Sequence, residues 1–323
     1  MSEVAVGLDV GGTKALALLV NREGEILDQV RTSTPHDSNG GAGAATAKVL
    51  CEQVATIARR HGLDPVTLPI GIGMPGMVRR DGRLAFAPNL RTVSGASFPE
   101  LLRESLGAEL VFMENDGNCA ALGEYAWGAG RGVDNFVMVT LGTGIGGGII
   151  ANGELVRGQS GFGGEIGHMA VQARGALCGC GGYGCWERYA SGGGLARLTS
   201  EWADDGRLPE LVARRGGAEN VSGEDVTRAA AEGLDEAVAL MNDVGWWLAR
   251  GLANLIAILD TGHFVIGGGL SVVADVLLPS ARDFLVELTF GFDLRPPIMV
   301  VPSALTMNGG ALGAAKVAFD RQP

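Results

Sequence analysis

Four potential metal ligands lie close together in one glycine-rich stretch of the sequence, residues 161–187. They are one imidazole and three thiols, from His168, Cys178, Cys180 and Cys185. This is the ligand set of a closed structural zinc site, and the intervening glycines allow the backbone to curl around one ion. A disulfide is the alternative, but the five cysteines are an odd number and a Cys-x-Cys pair is too short to bridge easily. The stretch therefore predicts bound zinc, and the other two cysteines, Cys51 and Cys119, are expected in the core.

Two carboxylates flank the predicted zinc ligands. Glu165 lies three residues before His168, and Glu187 lies two residues after Cys185. A zinc ion with four protein ligands needs neither carboxylate, so both can accept hydrogen bonds from a polyhydroxylated ligand. In the alternative interpretation they are solvated or helix-capping glutamates.

Glycine turns occur twice between apolar runs that are typical of strands. The first turn contains Gly11, Gly12 and Thr13 and is followed by Lys14, and the second contains Gly142, Thr143 and Gly144. Backbone N–H groups and a threonine hydroxyl in such a turn can bind phosphate, and two turns could hold a nucleotide triphosphate. Each turn is also compatible with an ordinary hairpin. The pattern Gly-x-x-x-x-Gly-Lys-Ser/Thr is absent, and the second turn leads into a strand, which argues against a nicotinamide cofactor.

Acidic side chains follow two of the predicted strands. Asp9 ends the first strand, where a carboxylate could hold a magnesium ion against ATP phosphates. Asn115 and Asp116 lie between a predicted strand and a predicted helix, at the edge where open α/β sheets bind ligands. We predict that Asp116 is the general base of a phosphoryl transfer. In the alternatives, Asp9 accepts hydrogen bonds from turn amides, Lys14 is solvated, and Asn115 or Asp116 only caps the helix.

The order of predicted elements is the same in the two halves of the chain. Each half opens with three strands, over 4–32 and over 135–157, and continues with helices and strands. The helices are predicted over 44–61, 98–106, 117–127, 192–205, 222–231, 235–259, 271–288 and 310–319, and the later strands over 68–74, 109–113, 263–266 and 298–301. This repetition predicts an α/β protein of duplicated domains that face each other across a cleft, similar in spacing to the actin-like ATPase (ribonuclease H-like) fold. The last helix is expected to pack against the first domain.

The amino-acid composition argues against nucleic acid and membranes as partners of the protein. A chain of 323 residues is long enough for two domains, and its 53 glycines are clustered between apolar runs. The net charge of −11, without a run of Lys and Arg, argues against a nucleic-acid surface. Because the first twelve residues lack a basic segment and no apolar run reaches about 18 residues, we expect a cytoplasmic protein without a membrane anchor.

Several motifs along nearly the whole chain resemble those of the ROK family of sugar kinases, in particular its bacterial glucokinases. The segments are Asp9-Val-Gly-Gly-Thr-Lys14, Gly71-Ile-Gly-Met-Pro-Gly76, Pro88-Asn89-Leu90, Glu114-Asn115-Asp116, Leu141-Gly-Thr-Gly-Ile-Gly-Gly-Gly148, Gly164-Glu-Ile-Gly-His168, Cys178-Gly-Cys-Gly-Gly-Tyr-Gly-Cys-Trp-Glu187 and Ile266-Gly-Gly-Gly269. The zinc-segment pattern is the most specific of these motifs.

The resemblance implies ATP-dependent phosphorylation of a hexose, namely glucose, at its 6-hydroxyl, with Asp116 as the base. It implies sugar contacts from Asn89, Asn115, Asp116, Glu165, His168 and Glu187. It also places Gly267 and Gly268 near the adenosine. One ring nitrogen of His168 could bind the structural Zn²⁺ while the other faces the sugar.

The resemblance also implies domain bounds and assembly. We expect a small domain of residues 1–117 and 307–323, and a large domain of residues 118–306 that carries a zinc-binding insertion at 165–187. The family suggests a homodimer or homotetramer.

Other activities of the same family stay open. They are N-acetylmannosamine, N-acetylglucosamine, allose or fructose kinase, and a glucokinase that uses polyphosphate, because fold and motif do not determine the substrate. Sugar-responsive repressors of the family carry a helix-turn-helix domain before the sugar-binding part. Here the first strand begins at Val4 and Asp116 is present, which favours an enzyme over a regulator.

Overall fold

The structure, a computed structural model, describes residues 2–35, 42–87 and 93–322. Its strands are β1 (Val4–Val10), β2 (Lys14–Asn21), β3 (Ile26–Ser33), β4 (Ile70–Met74), β5 (Met77–Val78), β6 (Leu84–Phe86), β7 (Val111–Asn115), β8 (Phe136–Leu141), β9 (Ile145–Ala151), β10 (Glu154–Leu155), β11 (His263–Gly267) and β12 (Met299–Pro302). Its helices are α1 (Ala42–His61), α2 (Phe98–Leu106), α3 (Asp116–Trp127), α4 (Glu187–Ala190), α5 (Gly192–Asp204), α6 (Pro209–Arg215), α7 (Gly223–Ala231), α8 (Asp235–Leu259), α9 (Ala274–Leu288) and α10 (Gly309–Asp320).

Two five-stranded sheets share one topology. Their strand orders are β3-β2-β1-β4-β7 and β10-β9-β8-β11-β12, so each sheet runs third, second, first, fourth, fifth in its own chain order. In the first sheet β1, β4 and β7 are parallel, and in the second β8, β11 and β12 are parallel. The duplication expected from the repeated pattern is therefore present.

Contacts divide the chain into two compact units. The first unit comprises Met1–Asp134, Gly147–Gly164 and Ala304–Pro323, and the second comprises Asn135–Gly146 and Glu165–Ser303. The predicted small domain ends at residue 117, whereas the first unit also includes the rest of α3, because α3 packs extensively on α10. The predicted domain bounds stay a prediction.

The sheet of the first unit is covered on both faces. Successive residues of β2 alternate between the faces, because side chains of a strand point in turn to opposite sides. Ala17 and Leu19 belong to the core that also contains the buried residues of α1 and α2. Leu16 and Leu18 belong to a second core with residues of α10. Both cores support the strand ends that carry the candidate functional residues.

Helix α10 lies directly on the backbone of this sheet. Gly7 of β1 and Gly71 of β4 are register partners, and a Cβ built on either would collide with a backbone carbonyl oxygen of α10, that of Ala311 or Ala314. Only glycine permits so close an approach of helix and sheet. The expectation that the last helix packs against the first part of the chain is confirmed.

The predicted elements agree with the structure in type, with local differences in extent. The predicted strand over 109–113 is shifted to Val111–Asn115, because pairing with β4 aligns Asn115 with Met74. A 3-10 turn, Gly269–Val273, replaces the first turn of the helix predicted over 271–288. The sequence did not predict β5, β6, α4 and α6. Among the described residues, no helix combines the length and the apolar character needed to cross a membrane.

Candidate active site and metal centre

Asp116 is the first residue of α3 and follows directly on β7, in the first unit. The neighbouring Asn115 is the N-cap of α3. Its Oδ1 accepts the N–H of Asn118 at 3.0 Å, and its Nδ2 donates to the carbonyl of Gly76 at 3.0 Å. The alternative that Asn115 caps the helix is therefore observed. The carboxylate of Asp116 accepts a hydrogen bond from the N–H of Gly117 at 2.9 Å, which holds its side chain at the start of the helix.

Asp9 lies at the same edge of the sheet as Asp116. Strands β1, β4 and β7 are parallel and adjacent, and register pairs Asp9 with Gly73 and Gly73 with Glu114. A Cβ built on Gly310 would lie 2.8 Å from the Cγ of Asp9, so this carboxylate also abuts the first turn of α10. Two carboxylates thus occupy the carboxyl edge of three parallel strands, the usual place for a ligand in an open α/β sheet.

The environment of these carboxylates favours their protonated forms. Burial, and secondarily the negative charge of Asp116, raise the pKa of Asp9 from 3.8 to about 7. Burial also raises the pKa of Asp116, against the effect of the N–H donated by Gly117. A carboxylate with a raised pKa is a better proton acceptor near neutral pH, and a cation beside Asp9 would restore its charged form.

An Asp9→Asn variant is expected to be more stable than the wild type at pH 8 and nearly equal to it at pH 4. An unfolded aspartate loses its proton near pH 4, whereas folded Asp9 keeps it until about pH 7. Folding therefore takes up a proton between these values, and the free energy of unfolding of the wild type falls as pH rises through this window. One pKa unit corresponds to about 1.4 kcal/mol, so the gain at pH 8 is at most about 4 kcal/mol. Urea unfolding of both proteins at the two pH values measures this difference in stability. Equal stability of the two proteins at pH 8 would contradict the raised pKa of Asp9.

Glu114, the residue before Asn115, forms a buried ionic cluster that the sequence did not predict. Its carboxylate is 3 % exposed and accepts hydrogen bonds from Nε of Arg157 at 2.6 Å and from a guanidinium nitrogen of Arg321 at 3.4 Å. The amide of Asn118 donates to its other oxygen at 3.1 Å. These bonds hold the end of β7, and so the start of α3, in place. These hydrogen bonds could not be predicted from a local sequence pattern, because Arg321 is 207 residues away from Glu114 in the chain.

The first glycine turn has the predicted tight geometry. The N–H of Gly11 donates to the carbonyl of Lys14 at 2.9 Å, and the hydroxyl of Thr34 donates to the carbonyl of Gly11 at 2.8 Å. Thr13 and Lys14 are exposed, whereas Gly12 is partly buried. The turn therefore offers one hydroxyl and one ammonium group to solvent beside Asp9, and its role in phosphate binding stays a prediction.

The four predicted zinc ligands come together in the second unit. The ligand atoms of His168, Cys178, Cys180 and Cys185 all lie within 4.8 Å of one another. Cys180 Sγ is 3.6 Å from Cys185 Sγ, and Cys178 Sγ is 3.8 Å from Nδ1 of His168. Two sulfurs bound to one tetrahedral zinc ion at about 2.3 Å lie about 3.8 Å apart. The spacing and the ligand types therefore fit a tetrahedral zinc ion.

A compact chain reversal brings the thiols together. The N–H of Cys178 donates to the carbonyl of Gly182 at 2.8 Å, and the N–H of Gly181 donates back to Cys178 at 3.0 Å. Gly181 has a φ of +90°, which favours glycine at this position. The following Trp186 is fully buried, and its indole N–H donates to the carbonyl of Trp247 in α8 at 2.8 Å. The metal-binding segment, residues 165–187, is thus anchored to α8, the long helix of the second unit.

Glu187 lies beside this cluster, as the sequence predicted. Its Oε1 accepts a hydrogen bond from the thiol of Cys178 at 2.9 Å and lies 3.7 Å from Nδ1 of His168. Burial, together with this carboxylate, raises the pKa of the Cys178 thiol. Because Nδ1 of His168 faces the thiols, Nε2 is the nitrogen that can serve another ligand. Glu165 and His168 are both exposed.

The second glycine turn lies at the carboxyl edge of β8. Strands β8 and β11 are parallel, and Gly267 is the register partner of Thr140. Gly268 has a φ of +85°, and a Cβ built on it would lie 2.6 Å from backbone atoms of Leu141. The predicted nucleotide residues Gly142, Thr143, Gly144, Gly267 and Gly268 therefore lie at one edge of the second sheet. Asn89, a predicted sugar contact, lies outside the described residues.

The chain belongs to the ROK family, whose model matches residues 5–321. It is 35 % identical to a glucokinase of Streptomyces coelicolor, over 99 % of this chain and 99 % of that protein. A ROK family glucokinase from Streptomyces griseus, solved in complex with glucose and AMPPNP, has a TM-score of 0.84 at 35 % identity and covers 98 % of this chain and 99 % of its own. The xylose repressor of Bacillus subtilis is 30 % identical over 98 % of this chain and 77 % of its own length.

These similarities confirm the predicted family and fold class. The two-sheet α/β architecture is that of ROK sugar kinases, which have the actin-like ATPase fold. The xylose repressor shows that proteins similar to this chain include regulators as well as enzymes.

Proposed function

We propose that the protein is an ATP-dependent glucokinase that transfers the γ-phosphoryl group of ATP to the 6-hydroxyl of glucose. The observation that carries this proposal is the half-buried carboxylate of Asp116, with its raised pKa, beside Asp9 at the edge of three parallel strands. Similarity to glucokinases over nearly the whole chain supports the substrate and the donor.

In this proposal Asp116 accepts the proton of the sugar 6-hydroxyl. The hydroxyl oxygen forms a bond to the γ-phosphorus while the bond from that phosphorus to the β,γ-bridging oxygen breaks, and ADP leaves. Catalysis of this kind depends mainly on positioning and on charge stabilisation, so one well-placed carboxylate suffices as the base. Asn115 and Glu114 fix the peptide that carries Asp116.

The remaining predicted residues divide between the two substrates. Glu165, His168 and Glu187 are proposed to accept or donate hydrogen bonds at sugar hydroxyls, together with Asn89 and Asn115. Once Cys178 is a metal-bound thiolate it has no proton to donate to Glu187, which frees that carboxylate for the sugar. The two glycine turns, with Lys14, Gly267 and Gly268, are proposed to hold the nucleotide.

Two metal ions complete the proposal. His168, Cys178, Cys180 and Cys185 would hold a structural zinc ion, which orders the segment without entering the chemistry. Asp9 would hold a magnesium ion, or its water, that neutralises phosphate charge when ATP is bound.

Location and assembly belong to the same proposal. Three thiols that bind zinc must stay reduced, which favours the cytoplasm. Assembly as a homodimer or homotetramer is supported by large apolar side chains on the second unit, since Phe290 is 90 % and Leu294 is 91 % exposed.

A coupled assay of ADP release with Mg-ATP tests the function. We expect strong preference for glucose within a panel of glucose, mannose, fructose, allose, N-acetylglucosamine and N-acetylmannosamine. Preference for an N-acetylated sugar would keep the reaction type and overturn the proposed substrate. Turnover with polyphosphate in place of ATP would change the donor. Sugar binding without turnover under any of these conditions would instead favour a regulator, as the similarity to a repressor allows.

A further inference from the structure

The metal-binding segment, residues 165–187, and the start of α5 together contact the second glycine turn, residues 142–144, and its continuation at three places within the second unit. A Cβ built on Gly167, the residue before His168, would collide with the carbonyl oxygen of Ile145. The Oε2 atom of Glu187 abuts Gly144 so closely that a side chain there would collide with it. The third contact is made by the residues that follow Glu187 and begin α5. The turn is therefore supported by the same segment that carries the metal ligands.

Ser191 is central to the third contact. This N-cap residue of α5 is fully buried, and its Oγ accepts the N–H of Gly194 at 3.0 Å. The same hydroxyl lies 3.0 Å from the carbonyl oxygen of Thr143 and 2.5 Å from that of Glu187, and these two carbonyls share its single hydrogen in a three-centre hydrogen bond. One buried hydroxyl thus joins the last residue of the metal-binding segment to the middle of the glycine turn.

Backbone hydrogen bonds also connect the start of α5 to the glycine turn. The N–H of Gly192 donates to the carbonyl of Gly142 at 2.8 Å, and the N–H of Gly193 donates to the carbonyl of Thr143 at 3.0 Å. In a planar trans peptide the N–H points opposite to the C=O. Fixing these two carbonyls toward α5 therefore directs the N–H groups of Thr143 and Gly144 away from it, as a turn that binds an anion requires.

We propose that Ser191 is a positioning residue that couples metal binding in the Cys₃His cluster to nucleotide binding at the second glycine turn. The inference rests on the proposed function, because it takes residues 142–144 as nucleotide ligands. A metal ion orders the segment from His168 to Glu187, and Ser191 transmits that order to the carbonyl of Thr143. Coupling between two binding sites is reciprocal, so the nucleotide must tighten metal binding by the same factor.

Titration calorimetry with Mg-AMPPNP on the full-length chain tests this coupling. The protein without metal, prepared with a chelator and shown to be folded by circular dichroism, is expected to bind Mg-AMPPNP about tenfold more weakly than the zinc-loaded protein, within the usual range for coupled sites. Zinc-loaded Ser191→Ala is expected to bind it about fivefold more weakly, as for the loss of one buried hydrogen bond. Removal of zinc from that variant should then have less effect than in the wild type.

Thr199→Val provides the matched control. Thr199 lies on the same helix α5 and is equally buried, but its hydroxyl donates to the carbonyl of Leu195 within the helix, at 2.8 Å. This variant is expected to bind Mg-AMPPNP as the wild type does and to show the full effect of zinc removal. A general loss of stability would weaken both variants alike.

The outcomes separate the coupling from the proposed function. If Ser191→Ala binds Mg-AMPPNP as tightly as the wild type, or if zinc removal leaves the affinity unchanged, the coupling is overturned while the kinase proposal stands. If the zinc-loaded wild type does not bind Mg-AMPPNP at all, the nucleotide assignment fails and the coupling fails with it. A matching increase of zinc affinity in the presence of Mg-AMPPNP would confirm reciprocity without any measurement of turnover.

Discussion

Replacing Asp116 by asparagine is expected to lower kcat at least about a hundredfold, the lower end of the effect of losing a general base. The asparagine amide keeps the size and the position of the side chain but cannot accept the proton of the sugar hydroxyl. Because the sugar is bound by several other polar groups in this proposal, KM for glucose is expected to change little. Steady-state kinetics with glucose and Mg-ATP measures both parameters.

Asp235→Asn is the matched control for this experiment. Asp235 is the first residue of α8, as Asp116 is of α3, but it is exposed and belongs to the second unit. Its replacement removes one charge from the first turn of a helix and should leave kcat unchanged. If Asp116→Asn turned over glucose at a rate close to that of the wild type, Asp116 would not be the base.

The raised pKa of Asp116 has a kinetic consequence of its own. A base must be ionised to act, so kcat of the wild type should fall as pH is lowered through the raised pKa of this group. The fall should begin at a higher pH than it would for a solvated aspartate. The small residual rate of Asp116→Asn should lack this dependence.

The purified protein is expected to carry about one zinc ion per chain, bound by four ligands. Cys185→Ser removes one buried thiolate from the cluster and should reduce the zinc content to near zero. Metal binding at such a site contributes directly to folding, so the melting temperature should fall by about 10 °C or more. Elemental analysis and thermal unfolding of the same preparation measure the two effects.

Cys51→Ser separates the loss of a thiol from the loss of a ligand. Cys51 is a buried free cysteine of α1 in the first unit, outside the cluster. This variant should keep its zinc even if it loses some stability through packing. A wild-type protein that is folded and active without any zinc would refute the metal site.

The sequence predicted correctly those helices, turns and ligand clusters that are determined by residues close together in the chain. The helices predicted over 98–106 and 235–259 have the same bounds in the structure, because a continuous apolar face defines them. The zinc ligands were identifiable because all of them fall between His168 and Cys185. Glycine turns that contain a threonine likewise marked the ends of β1 and β8.

The features that the sequence did not predict depend on contacts between residues far apart in the chain. The register of β7 depends on β4, which moved the strand end to Asn115 and gave its side chain a capping role. Helix α6 is short, and N–H groups in its first turn donate to the carboxylate of Glu236 at the start of α8. The bonds of Arg157 and Arg321 to Glu114 have no local signature either, since they join parts of the chain that only the fold brings together.

The position of α10 in the sequence constrains the order in which the protein can fold during synthesis. Residues 309–320 cover the sheet face that carries Leu16 and Leu18, yet the ribosome makes them after every residue of the second unit. Contacts of this kind close very long loops, as between the N–H of Ser2 and the side chain of Gln322, 320 residues apart. The second unit can therefore complete its core first, while the nascent first unit exposes an apolar surface that chaperones would recognise.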